Sequence, residues 1–193
     1  LWAKQFYSTF LNAPWSVRSS PTGRIAVSGF LHSVAPDFDP GPGTSTNAAR
    51  GLADGFLAVL NSDGSYAWSQ IIGTSSEDSA GCVAVDSQGS IYVNGHFGGN
   101  GGGTIDLDPG AGVTSYAAHG TNEDVYLVKY SDAGVFQWGK SVGNSTIEQP
   151  RAMVCTANGQ VIMAGIFAGT LDFDPGTGVK NLTSAGNYDV FLL

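Results

Sequence analysis

The chain has 193 residues, 28 of them glycine, with 12% charged and 11% aromatic residues and a formal charge of −8. Eight Lys and Arg in all leave no basic face for nucleic acid or for an anionic membrane surface. No apolar run is long enough to insert in a bilayer as a helix, and no basic segment leads into an apolar one as in a secretion signal.

The chain opens on a short apolar run, Trp2 to Phe6, with counterparts at Trp68 and Trp138, intervals of 66 and 70. Aligned on these tryptophans, Gly23, Gly89 and Gly159 coincide, as do Gly29, Gly95 and Gly165, and the acids Asp54, Asp124 and Asp189. The sequence Asp-x-Asp-Pro-Gly occurs at Asp37–Gly41, Asp106–Gly110 and Asp172–Gly176. Self-similarity at a long period marks a repeat architecture. The copies run approximately over 1–66, 67–136 and 137–193, together forming one segment.

The second copy shows the unit most completely. Cys82–Asp86 is a first short apolar run, and Ser87-Gln88-Gly89 turns into a second, Ile91–Phe97. After a long loop with the acidic motif come Asp124–Tyr130, a turn at Ser131–Gly134, and Phe136–Val142. Runs of this length, β-branched and aromatic and bounded by Gly, Asp and Ser, are strands. Asp63-Gly64, Gln88-Gly89, Ala133-Gly134 and Asn158-Gly159 place glycine where hairpins need positive φ. Four antiparallel strands per unit, repeated, predict an all-β fold: a β-propeller of four-stranded antiparallel blades. Three blades are few for a ring. The expectation is therefore a piece of a longer ring, starting in one blade's fourth strand and ending in another's third; the alternative is two copies pairing into six blades with exchanged closing strands.

The combination of Trp-(Ala/Ser/Gly), Val83-Ala84-Val85-Asp86-Ser87-x-Gly89-x-Ile91-Tyr92-Val93-x-Gly95-x-Phe97, Asp-x-Asp-Pro-Gly and Asp-x-(Phe/Tyr)-Leu-Val resembles the SBBP-type bacterial β-propeller repeats. The likeness runs through all three copies; the first departs at Val17-Arg18-Ser19-Ser20. It implies a propeller in a secreted or surface-attached protein, and no defined activity.

Asp37 and Asp39, Asp106 and Asp108, and Asp172 and Asp174 are the leading site candidates. Acids two apart in extended chain share a side, so both carboxylates converge while Phe38, Leu107 or Phe173 anchors the loop. Such a pair offers hard oxygens for Ca²⁺, with Asp54, Asp124 and Asp189 as further ligands. The competing account is turn chemistry, with aspartates accepting backbone N–H groups ahead of Pro-Gly. Trp2, Trp68 and Trp138 read as packing between blades, with a sugar platform as the alternative; Trp15 has no counterpart and is freer for a surface role.

His32, His96 and His119 do not align, and no metal-hydrolase, Cys-x-x-Cys or nucleophile-elbow pattern occurs. Cys82 and Cys155 read as buried inert thiols, and Gly98–Gly103 as a flexible insertion. The sequence thus points to a non-enzymatic, secreted or cell-surface module, structural, adhesive or ligand-presenting, with a protein or glycan partner. A carbohydrate-binding propeller is the rival reading.

Overall fold

The computed structural model describes the whole chain except residues 11, 33, 109, 111, 157 and 158. Asn158 of the fourth expected turn and Pro109 of the second acidic loop thus lie outside the described residues. The fold is all-β, a partial propeller. Its first blade is β1 (Asn12–Ser19), β2 (Ile25–Leu31), β3 (Asp54–Leu60) and β4 (Tyr66–Ile72), hydrogen-bonded in that order. The second is β5 (Glu77–Val85), β6 (Ile91–Gly99), β9 (Asp124–Tyr130) and β10 (Phe136–Val142), the third β11 (Gln149–Cys155), β12 (Val161–Phe167) and β15 (Asp189–Leu192). Every pairing within a blade is antiparallel. Two small hairpins, β7 (Thr104–Asp106) with β8 (Ser115–Ala117) and β13 (Thr170–Asp172) with β14 (Asn181–Thr183), carry the acidic loops of the second and third blades.

Counted from their tryptophans, the second and third sequence copies each supply the last strand of one blade and then the first three of the next. The expected strand at Trp2–Phe6 is not one: this stretch is followed by a single bridge between Tyr7 and Asp37. A strand exists only through a partner, and among the described residues no strand pairs with Trp2–Phe6. β5 begins at Glu77, earlier than the apolar run beginning at Cys82, because the polar Asp78 and Ser79 are buried in the sheet. Gly98 and Gly99, expected in a flexible insertion, end β6, and the Gly98 N–H donates to Asp78 Oδ1 at 2.8 Å.

Each inner strand carries a β-bulge at the same place. The register slips between Pro14 and Ser16, Ala80 and Cys82, and Pro150 and Ala152, so Trp15, Gly81 and Arg151 are the extra residues. The bulges explain one set of aligned glycines. A Cβ on Gly95 would lie 1.8 Å from the Ser79 carbonyl oxygen and 2.6 Å from Tyr126 Oη. On Gly29 and Gly165 it would lie 2.0 Å and 2.3 Å from the carbonyls of Ala13 and Gln149. β5 packs against both β1 and β11, which brings the three bulges towards one another. The main core joins the first two blades through Leu57, Val59, Val93, Leu107, Tyr126 and Val128, all fully buried.

Candidate functional site

The aspartate loops are built alike. Asp37 Oδ1 accepts N–H groups from Asp39 (3.0 Å) and Ser45 (2.9 Å). Asp106 does the same with Asp108 (3.0 Å) and Thr114 (2.9 Å), and Asp172 with Asp174 (3.0 Å) and Lys180 (2.7 Å). The second aspartate accepts from the glycine after proline, at 2.8, 3.0 and 2.7 Å in the three loops. These backbone donors hold the Asp172 carboxyl below its ordinary pKa. Between the two acids, Phe38, Leu107 and Phe173 are buried as anchors. In every loop one oxygen of each carboxylate is thus committed to closing the turn.

Asp54, Asp124 and Asp189 sit elsewhere. Asp54 Oδ2 accepts from the Arg50 and Gly51 N–H groups, Asp124 Oδ2 from His119 N and Nδ1, and Asp189 Oδ2 from Ala185 N. They fasten the return of each loop to the third strand. Among the described residues no three of His, Cys, Asp and Glu come together as a metal-holding group. The structure therefore groups the acids of each loop in pairs and does not add the third-strand acids to them.

Asp54 and Asp124 instead face the acid that opens the next blade. Both are fully buried, and Oδ1 of each has no hydrogen-bond partner. A Cβ on Gly73 would lie 2.0 Å from Asp54 Oδ1 and 3.0 Å from Asp78 Oδ2, so two carboxylates meet at one glycine. Burial raises the pKa of Asp54 and pushes Asp78 up to about 6, the Asp54 charge adding to the latter. At the next junction burial raises both Asp124 and Glu148, and the Asp124 charge adds to the latter. Asn12 holds the Asp78 and Glu148 position in the first copy.

Two of the repeated tryptophans pack across blades. Trp2 Nε1 donates to the Ser62 carbonyl (3.2 Å) and Trp68 Nε1 to the Asp132 carbonyl (2.9 Å), each ring covering the tight turn of the following blade. Gly134 in that turn has φ +81° and would put a Cβ 2.8 Å from the Trp68 ring. Trp138 lies beside Tyr92 instead, at the edge of an apolar cleft of about 240 Å³ with Val125, Leu127, Met163 and Leu193. Cys82 and Cys155 are free and half-buried, less enclosed than expected, and burial raises both thiols.

The chemistry that does not repeat gathers where the inner strands converge. Trp15, on the first bulge, is 52% exposed and tilts against Phe30 with ring centroids 4.9 Å apart. Its indole N–H, among the described residues, donates to no protein atom. Two adjoining hollows of about 160 and 310 Å³ share Trp15, Ser79 and His96. The smaller is flanked by Glu77 and His32, the larger by Gln149 and Arg151. Gln149 bridges blades, donating to Glu123 and accepting from Arg151. His96 Nδ1 stands 3.0 Å from Ser79 Oγ, and Nε2 stands 3.7 Å from Glu123 Oε1. Burial lowers the His96 pKa, which keeps the imidazole neutral at neutral pH.

Ser79, His96 and Glu123 adjoin without the alignment of a nucleophile triad. Ser79 is 2% exposed, its Oγ lies almost equally near both ring nitrogens, and 3.7 Å exceeds a hydrogen bond. What the copies place at these positions is telling. The bulge holds Trp15, Gly81 and Arg151; two residues earlier stand Ala13, Ser79 and Gln149; the second strand offers Phe30, His96 and Ile166. Trp15 stood out in the sequence as unmatched. The groove did not, because its members are scattered and only the bulges bring them together.

No protein-family model matches the chain. It is similar to an uncharacterized WD repeat-containing protein of Acanthamoeba polyphaga mimivirus, 23% identical over 214 residues. The match takes in 97% of this chain and 15% of that protein, so the chain spans a small part of the relative's length. The likeness agrees with a propeller-type repeat.

Proposed function

We propose that the chain is a non-enzymatic propeller module that binds a partner through the groove around Trp15 and His96. The observation that carries this reading is the contrast between copies. Glycines, tryptophans and aspartate loops recur, whereas Trp15, His96, Gln149 and Arg151 are each peculiar to one copy and meet in one hollow. A scaffold needs its structural residues in every blade; a site grafted on it does not. The module belongs to a secreted or cell-surface protein, adhesive or ligand-presenting, as the SBBP-type resemblance and the acidic, low-charge composition support.

The test is binding to immobilised peptide and glycan libraries by the wild type and by a Trp15→Ala/Arg151→Ala double variant whose fold is checked by circular dichroism. The wild type should retain partners that the variant loses and that soluble ligand displaces. Identical profiles for the two proteins would remove the groove from the account.

A further inference from the structure

We propose that the groove binds a neutral pyranose ring stacked on Trp15; this rests on the binding reading above and names its ligand class. The first element is a flat apolar face. Half of Trp15 is open to solvent, and Phe30 tilts against its ring with centroids 4.9 Å apart, both lining the smaller hollow. A pyranose has an apolar C–H face of matching size, and its burial on an aromatic ring is favourable.

The second element is the polar surround. A sugar's hydroxyl rim must donate and accept at once, since an unmatched hydroxyl in a hollow is costly. The groove offers the Glu77 carboxylate as acceptor and the Arg151 guanidinium and the Trp15 N–H as donors, while Gln149 holds Arg151 in place. His96, its Nδ1 3.0 Å from Ser79 Oγ, lines both hollows.

The third is charge. Glu77 flanks one hollow and Arg151 the other, on either side of the residues they share. Asp78 also lines the Glu77 hollow, so charges of both signs flank the shared residues and no single sign dominates the groove, which suits a neutral polyol that hydrogen-bonds to both. Hollows of about 160 and 310 Å³ suit one ring and an extension towards a second.

The experiment is fluorine NMR on protein labelled with 5-fluorotryptophan. The four tryptophans give four resonances, assigned by single Trp→Phe variants. Methyl pyranosides and disaccharides are titrated at millimolar concentrations, with Nα-acetyl-lysine amide as the cationic probe. The Trp15 resonance should shift saturably with at least one pyranoside, while Trp2 and Trp68 stay put. Glu77→Gln and Arg151→Gln should each weaken that binding by about tenfold, the worth of one hydrogen bond to a charged group. A Trp15 response to the lysine probe alone overturns the sugar class and leaves the binding reading standing. No response to any probe overturns the pyranose proposal, and if the library screen is silent too, the groove reading falls with it.

Discussion

The second blade holds two regions that share a sheet and differ in kind. Its aspartate loop, Asp106 to Thr114, repeats bond for bond in the other blades, down to the 3.0 Å contacts of Asp37, Asp106 and Asp172 with the second acid's N–H. Its inner strand and His96 meet neighbours that no other junction reproduces. The first region therefore reports what a blade requires, and the second what this molecule does with blades. Substitutions should separate them: changes at repeated positions should be read in stability, changes in the groove in binding.

The largest loss should follow Gly95→Ala. The new Cβ would strike the Ser79 carbonyl and Tyr126, groups held by the sheet and the core. Overpacking of this severity costs about 3 kcal/mol, a fall in Tm of roughly 6–12 °C in a domain of this size. Asp106→Ala comes next. It strands two backbone donors, at about 2 kcal/mol, and a differential scanning calorimetry trace should show the drop.

The junction acids make a signed prediction. Asp54, Asp78, Asp124 and Glu148 all have folded pKa values raised by burial, so their contribution is full below the unfolded value of about 4. It is lost as pH rises through the folded values, about 6 for Asp78. Asp63, Asp86 and Asp172, with lowered values, act in the opposite sense below about pH 4. His96, its pKa lowered by burial, opposes the four acids as pH rises towards its unfolded value of about 6.5. With four acids against one imidazole, Tm should fall between about pH 4.5 and 7. Asp54→Asn should flatten that slope and stabilise the protein at neutral pH by about 1 kcal/mol, since it removes a charge beside Asp78. A lower Tm for this variant at pH 7 would count against the shared-glycine geometry.

Of similar size, Trp15→Ala should cost about 1 kcal/mol through its Phe30 contact. Calcium should have the least effect. With one oxygen of each loop carboxylate already accepting an N–H, the turns close without a cation, and Tm should match in calcium and in chelator. A calcium-dependent rise would make the aspartate pairs metal sites.

Much of the fold was legible because repetition amplifies weak local signals. No single run such as Ile91–Phe97 settles a propeller, but three aligned copies with glycine turns do. The bulges at Trp15, Gly81 and Arg151 were not legible, since pattern alone does not show where two residues oppose one. The start of β5 was missed because Asp78 and Ser79 look like loop residues; burial is tolerated there through bonds to Thr74, Gly98 and His96. The third-strand acids looked like ligands for the loops, yet each is used by backbone N–H groups nearby. Trp15 was visible as the unmatched tryptophan; its partners across the groove come from other blades, which sequence order does not reveal.

The most direct measurement pairs two variants against one ligand from the library screen. Trp15→Ala should abolish binding while shifting Tm little, and Asp106→Ala should lower Tm while leaving the affinity of the folded protein unchanged. If Trp15→Ala binds as the wild type does, or Asp106→Ala loses affinity at a temperature where it remains folded, the separation between repeated scaffold and unrepeated site is wrong.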